Sequence, residues 1–447
     1  MRGIRRRITP AQSLTLGFTG LVLAGTLLLV LPAASRTGDS QPWVDALFTA
    51  TSAVTTTGLV VVDTGSYYAP LGQFVILALF QVGGIGYMAF IAFFTMLMGQ
   101  KLSLGAGLTL QESIAGLTRG ELRDFVTSVV LYTVLFELIG AVLLSAYWMQ
   151  HFPPARALYL GVFHSVSAFC TAGFSLFPDS FVAARGSPLV NLTIAVVTLA
   201  GATGFFALRD LSRHLALLRR GVRPRRLTLH TKLAFAVWLP LMALGSAILL
   251  AIEPGSVLGA TLRERLATAT FQALSASTTT GFNSIDIGAM SATSLFGLVV
   301  LMFVGACPGG TGGGIKTTTL GAVLATVVGL LRGGEDAVVF GRRLPEDTVR
   351  RALTIGLLAT AVVTLGTLVL TATERQPFLP VLFEVVSALG TVGLSTGITP
   401  SLSTAGKLVL SATMLVGRLG PLAIGFAFLA RPKRARFRYA EENVLIG

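Results

Sequence analysis

One eight-residue pattern occurs four times in this chain of 447 residues, and it constrains the fold more than any other feature. The pattern is Ser-Ala-x-x-Thr-x-Gly followed by Leu or Phe, and its glycines recur at intervals of 108 to 115 residues. The four octets are 52–59, 167–174, 275–282 and 387–394. Recurrence at a regular period is typical of a fold built from repeated supersecondary units. Four imperfect copies of one loop therefore predict four units around a common axis.

Composition places these units in a membrane. The chain is 53% hydrophobic and only 12% charged, and its mean hydropathy is +0.77. Soluble proteins carry about 25% charged residues, so a soluble domain is excluded. Cys170 and Cys307 are the only cysteines, and they indicate no disulfide framework.

Each octet follows a short apolar segment inside a unit that repeats along the chain. The unit is a span of about 20 residues, the length that crosses a bilayer, then a short re-entrant helix, the octet and a second span. The predicted spans are 13–34, 71–98, 125–149, 188–208, 232–252, 293–329, 350–372 and 405–430, and the short helices are 42–53, 156–168, 262–276 and 378–388.

These elements predict an all-α membrane protein of four helix–pore-loop–helix repeats. Its eight transmembrane helices are expected in a pseudo-four-fold arrangement around a central pore. The repeats occupy 1–98, 99–230, 231–348 and 349–430, the third has a broken last helix, and 431–447 forms a cytoplasmic C-terminal tail.

The basic residues predict the orientation of the spans. Of 34 Lys and Arg residues, 25 lie in the N-terminal segment, 99–123, 209–232, 330–351 and the tail, whereas the loops on the other side hold 7. Because cytoplasmic loops carry the excess of positive charge, both termini are expected in the cytoplasm. The same loops also have the composition of nucleic-acid patches, but inside-facing loops need this charge anyway, so no nucleic-acid partner is expected.

The octets have the chemistry of a cation filter. Each short helix directs its partially negative C-terminal end into the membrane, and the glycine that follows reaches backbone angles closed to other residues. Such a loop turns carbonyl oxygens toward an axis, where they replace the water around an ion. The threonines at the fifth octet position add hydroxyl oxygens, and the absence of Asp and Glu from the octets argues against a divalent cation. Close helix packing is the alternative reading, favoured for Gly83, Gly84 and Gly86 but not for the octets.

The candidate selectivity-filter residues, whose backbone carbonyls would bind the ion, are Val54, Thr55, Thr56, Thr57, Gly58, Phe169, Cys170, Thr171, Ala172, Gly173, Ser277, Thr278, Thr279, Thr280, Gly281, Leu389, Gly390, Thr391, Val392 and Gly393.

A glycine-rich stretch interrupts the second span of the third unit. Six glycines and one proline near its centre cannot remain a regular helix, and irregular backbone at this depth must line a cavity or be covered by protein. Beneath a filter it would form a flexible obstruction. A simple kink is one alternative. A phosphate-binding loop is another, although Ile315 stands where that motif needs Gly before Lys316.

With these motifs in view, the chain resembles the Trk/Ktr/HKT superfamily of potassium transporters, most closely its bacterial Ktr-type membrane subunits. The resemblance rests on the four octets, the stretch Gly417-Arg418-Leu419 and the ending 439–447, and it covers essentially the whole chain. It implies potassium as the transported ion, sodium as a second candidate, and no organic cofactor on this chain. It also implies a homodimer in the lipid of the inner membrane and a KtrA-like cytoplasmic ring that binds ATP or ADP.

The resemblance further assigns an intramembrane gate. The implied gate residues are Ala306, Cys307, Pro308, Gly309, Gly310, Thr311, Gly312, Gly313, Gly314, Lys316 and Arg418. Arg418, predicted in the middle of the last span, would lie just below the filter and repel a waiting cation. Lys316 is expected to snorkel toward the cytoplasmic face.

Three polar residues in apolar segments remain outside these assignments. Glu137 and Glu384 either pair with a base or make hydrogen bonds in the packing, and His164 reads as a packed, hydrogen-bonded residue rather than a metal ligand. The sequence thus predicts passive, voltage-driven potassium uptake through a pore. An alternating-access cation carrier is the competing hypothesis, and no acid–base constellation supports an enzyme.

Overall fold

The protein is mostly helical in the computed structural model, which describes residues 10–98, 119–222 and 226–421. The exceptions to helix and loop in these ranges are a two-residue hairpin, β1 (Val338–Val339) with β2 (Arg342–Arg343), and two isolated bridges. The predicted all-α class is confirmed. The predicted tail, 431–447, lies outside the described residues.

The helices follow the predicted order of opening helix, short helix, octet and closing helix. The first unit contains α1 (Pro10–Val30), α2 (Trp43–Val54), α3 (Thr64–Tyr67) and α4 (Pro70–Met98), and the second contains α5 (Arg119–Trp148), α6 (Pro154–Phe169), α7 (Pro188–Ala202) and α8 (Phe205–Arg219). The third contains α9 (Leu229–Ile252), α10 (Gly255–Leu258), α11 (Leu262–Ser277), α12 (Ala292–Phe303) and α13 (Thr317–Leu331), and the fourth contains α14 (Glu346–Thr373), α15 (Phe378–Gly390) and α16 (Thr404–Leu419).

The four opening helices are long and apolar enough to cross a membrane. The qualifying stretches are Gln12–Val30, Val126–Trp148, Leu229–Ile252 and Glu346–Thr373. The closing helices α7, α12, α13 and α16 have only 12 to 16 residues each, so the count of eight spans stays a prediction.

The predicted span 188–208 is not one continuous helix. Helix α7 ends at Ala202, and α8 leaves it at an angle of 105°. Gly204 lies at the bend with φ +84°, a conformation that breaks the helical hydrogen-bond ladder and that glycine adopts readily. The Phe205 N–H then bonds to Gly309 O at 3.0 Å, so the bend is held by a contact with the glycine-rich stretch.

The predicted last span, 405–430, is described only in part. Helix α16 ends at Leu419, where Gly420 has φ +87°, and residues 422–430 lie outside the described residues. Arg418 lies in the last turn of α16.

The short helices occupy the centre of the fold and the opening helices its periphery. In α15, all residues from Phe383 to Gly390 are buried, whereas Leu357 and Leu365 of α14 are 73% and 63% exposed. An ion pair of 2.6 Å between Lys407 Nζ and Asp45 Oδ1 joins α16 to α2. The fourth unit therefore contacts the first, which closes the arrangement.

Candidate functional site

All four octets adopt one backbone conformation. The threonine at the fifth position has φ between 49° and 56° in each copy, and the glycine at the seventh has φ between 68° and 91°. Left-handed angles are uncommon in residues other than glycine, so their recurrence marks one shared turn. In each copy the intervening residue also donates its N–H to the octet serine carbonyl, at 2.8 to 2.9 Å.

The octets meet in a closed ring through their glycines. A Cβ atom added to one of these glycines would lie 2.0 to 2.4 Å from a carbonyl oxygen of the next octet. The pairs are Gly58 with Ala172, Gly173 with Thr280, Gly281 with Val392, and Gly393 with Thr57. The four loops therefore follow one another around a common centre in chain order, and only glycine permits their close approach.

The ring is electrostatically suited to a cation. Helices α2, α6, α11 and α15 all end inside their octets, which places four partially negative helix ends beside the ring. The octets contain no charged residue. Within the described part of the chain, the buried hydroxyl oxygens of Thr56 and Thr391 have no hydrogen-bond partner, so each is available to an ion or to water.

The glycine-rich segment 304–316 lies against this ring. The two ends of the segment lie next to each other, because the Gly305 N–H donates to Ile315 O at 2.9 Å. Its Gly313 N–H donates to Thr279 Oγ1 at 2.9 Å, and its Thr311 Oγ1 donates to Phe169 O at 2.9 Å. The segment is thus hydrogen-bonded to the second and third octets.

The same segment is also bonded to the bend between α7 and α8. Thr311 N–H donates to Gly201 O at 3.0 Å, and Cys307 N–H donates to Ala202 O at 3.2 Å. The residues from Val304 to Gly313 are buried. These contacts fix the position of the segment. They also satisfy backbone hydrogen-bonding groups that are not part of a helix, as irregular backbone within a membrane requires.

Arg418 and Lys316 hold the segment in place. Arg418 is 7% exposed, and its guanidinium donates to Thr311 O, to Gly83 O at 2.8 Å and to Gly84 O at 3.2 Å. Lys316 Nζ donates to Gly312 O at 2.6 Å and to Gly313 O at 3.3 Å. The ammonium of Lys316 thus folds back onto the segment, and the expectation that it snorkels toward the cytoplasmic face stays a prediction.

A cavity of about 340 Å³ borders the segment and is basic. Lys316, Arg351 and Arg418 line it, and none of the described residues in its lining carries a carboxylate. The charged side chains around this cavity are therefore positive.

The remaining polar residues make hydrogen bonds, which is one of the two alternatives left open for the acids. Glu137 accepts two bonds from Gln81 Nε2, at 2.9 and 3.1 Å, and Glu384 accepts from Ser395 Oγ at 2.6 Å. His164 is fully buried and hydrogen-bonded. Among the described residues, no group of three or more His, Cys, Asp and Glu residues is arranged to hold a metal.

One glycine in each of three closing helices is a site residue that sequence reasoning missed or read as packing alone. A Cβ at Gly83, Gly201 or Gly417 would lie 1.9 to 2.0 Å from the carbonyl of Val54, Phe169 or Leu389, the third residue of the neighbouring octet. The signal was present, since each is the first residue of a Gly-x-x-Gly motif. The close packing predicted for Gly83 is present, and its carbonyl oxygen also accepts a hydrogen bond from the Arg418 guanidinium.

Comparison with known proteins places this geometry in context. A family model described as TrkH, cation transport protein, matches residues 17–439. Ktr system potassium uptake protein B of Bacillus subtilis is 38% identical over 444 residues, covering 99% of this chain and 97% of that protein. Potassium/sodium uptake protein NtpJ of Enterococcus hirae is 35% identical over 453 residues, covering 99% and 98%.

A solved structure has the same fold. The crystal structure of the potassium transporter TrkH from Vibrio parahaemolyticus matches with a TM-score of 0.71 and 22% identity, covering 96% of this chain and 86% of that one.

Proposed function

This chain belongs to the TrkH family of cation transport proteins, and from that premise we propose that it takes up potassium through the ring of octets. The observation that carries the proposal is the closed ring of four glycines, each touching a carbonyl of the next octet. Backbone oxygens gathered in this way replace the hydration shell of a monovalent ion. The names of the relatives, which are potassium or potassium/sodium uptake proteins, support the choice of ion.

The segment 306–316 is the barrier in this proposal. Its hydrogen bonds to two octets and to the α7–α8 bend support a closed conformation beneath the ring. Arg418 acts by holding Thr311 and by adding positive charge to the passage. Opening then requires the segment to leave these partners, which is a change between two packed states.

We further propose that the protein works in the inner membrane as a homodimer with both termini in the cytoplasm. Its similarity to Ktr system membrane proteins supports a cytoplasmic, KtrA-like partner that binds ATP or ADP. In this orientation the basic residues of 209–222 and of 330–351 lie on the partner's side of the membrane.

Rubidium uptake into vesicles containing the purified protein tests the function. An inside-negative potential of 100 mV supplies about 2.3 kcal/mol per charge, so passive entry should concentrate rubidium roughly fiftyfold. We expect this accumulation without a sodium gradient and with the partner or a gate-opening variant present. Uptake that occurs only in exchange for another ion, or only with a sodium gradient, would instead support an alternating-access carrier.

A further inference from the structure

Each short helix carries a buried polar residue three positions before its octet serine. These residues are Thr49, His164, Gln272 and Glu384, and none is more than 1% exposed. They lie outside the octets, so the proposed filter does not account for them. Burying a polar group without a partner is costly, and the partners of these residues indicate their role.

Glu384 binds the segment that leaves the fourth octet. Its Oε1 accepts hydrogen bonds from Ser395 Oγ at 2.6 Å and from Thr396 N–H at 3.1 Å, and its Oε2 accepts from Thr399 Oγ1 at 2.8 Å. Both carboxyl oxygens of Glu384 therefore have partners in this segment. Since Ser395 comes two residues after Gly393, a shift of this segment would move the ring.

His164 and Gln272 make the corresponding contacts in the second and third units. His164 Nδ1 bonds to Leu160 O at 2.8 Å, which leaves Nε2 to accept from Leu176 N–H at 3.2 Å and from Ser175 Oγ at 3.1 Å. Gln272 Oε1 accepts from Ser284 N–H at 3.4 Å. In the first unit, Thr49 Oγ1 accepts a hydrogen bond from the Tyr68 hydroxyl at 3.2 Å. Tyr68 lies farther along the chain from its octet than the partners in the other three units do.

We propose that Glu384, with His164 and Gln272 in the same register, is a positioning residue that fixes the carbonyls of its octet. The proposal rests on the filter function assigned above. In three units a chemically different residue bonds to the segment that follows the octet. Hydrogen bonding, and not a charge common to these residues, therefore positions the octets. Glu384 forms the largest set of such bonds and should have the largest effect on ion selectivity.

The ratio of rubidium to sodium flux tests this role, because the ratio does not depend on the amount of folded protein. Glu384→Leu leaves the partly buried Thr396 N–H without its partner, and we expect the ratio to fall about tenfold, equivalent to about 1.4 kcal/mol. Glu384→Gln places in the fourth unit the residue that the third unit already uses. Its carbonyl oxygen still accepts from Thr396, so we expect a change smaller than about threefold.

Two results would overturn the proposal. One is a wild-type ratio in Glu384→Leu, and the other is an equal loss in Glu384→Gln, which would assign the effect to the charge. If Glu384→Leu cannot be purified folded, the double variant Ser395→Ala with Thr399→Val removes two of the hydrogen-bond donors to Glu384 and should lower the flux ratio. An unchanged ratio in that variant would count against the positioning role.

Gly281→Ser in the same assay separates the positioning role of Glu384 from the proposed filter function on which it rests. If Gly281→Ser changes the ratio and the Glu384 variants do not, the positioning role fails while the filter survives. If neither changes the ratio, the filter assignment itself fails.

Discussion

Replacing Gly281 with serine is expected to lower the preference for potassium over sodium by about tenfold or more. Gly281 has φ +83°, and a Cβ there would lie 2.0 Å from Val392 O and 3.0 Å from Gly393 Cα. The left-handed conformation costs a residue with a side chain about 1–2 kcal/mol, and the overlap with the neighbouring octet adds to it. The third octet must therefore move away from the fourth, which displaces the carbonyl oxygens of the proposed filter.

The flux ratio of rubidium to sodium in vesicles measures this effect, and the chain offers a matched control. Gly38 has φ +77° but no atom within 4 Å of an added Cβ. Gly38→Ser introduces a similar backbone strain without the overlap, so its ratio should remain that of the wild type. An unchanged ratio in Gly281→Ser, or an equal fall in Gly38→Ser, would remove Gly281 from the filter.

The repeating plan could be predicted from the sequence because its signals are local. The short helices were placed within about two residues of their observed bounds, since an octet marks the end of each one. The fifth-position threonine and seventh-position glycine were identified from recurrence, and the structure gives both a left-handed conformation in every copy. Because the pattern occurs four times in the chain, the sequence gives four separate indications of the same local geometry.

The errors lie where distant segments decide the local structure. The bend after α7 depends on the bond from Phe205 to Gly309, and helix periodicity carries no information about that contact. The partners of Arg418 are equally remote, since Gly83 lies 335 residues away in the chain. The sequence predicted that this charge needs a partner but could not show that backbone carbonyls of α4 and of segment 304–316 would provide it.

The ring and segment 304–316 form one hydrogen-bonded unit. Thr311 bonds to Phe169 O, receives Arg418 at its carbonyl and bonds to Gly201, while Gly313 bonds to Thr279. A displacement of the segment therefore breaks contacts with two octets at once. The contacts between the octet glycines do not involve the segment, and the Phe205 N–H bond to Gly309 O links the segment to α8.

Deleting residues 306–314 is expected to raise rubidium flux about tenfold or more, the change produced when a barrier falls by about 1.4 kcal/mol. The two ends of the deleted segment lie side by side, since Gly305 N and Ile315 O are 2.9 Å apart. It removes Thr311 and Gly313, which bridge the segment to the octets.

The selectivity of the deletion variant distinguishes an open gate from a damaged pore. If the segment is a barrier, flux rises while the ratio of rubidium to sodium flux stays within about threefold of the wild type, since the octet glycines still contact one another. Loss of both selectivity and thermal stability would mean that the segment supports the ring and does not gate it. Unchanged flux in stable protein would show that ions do not pass the position that the segment occupies.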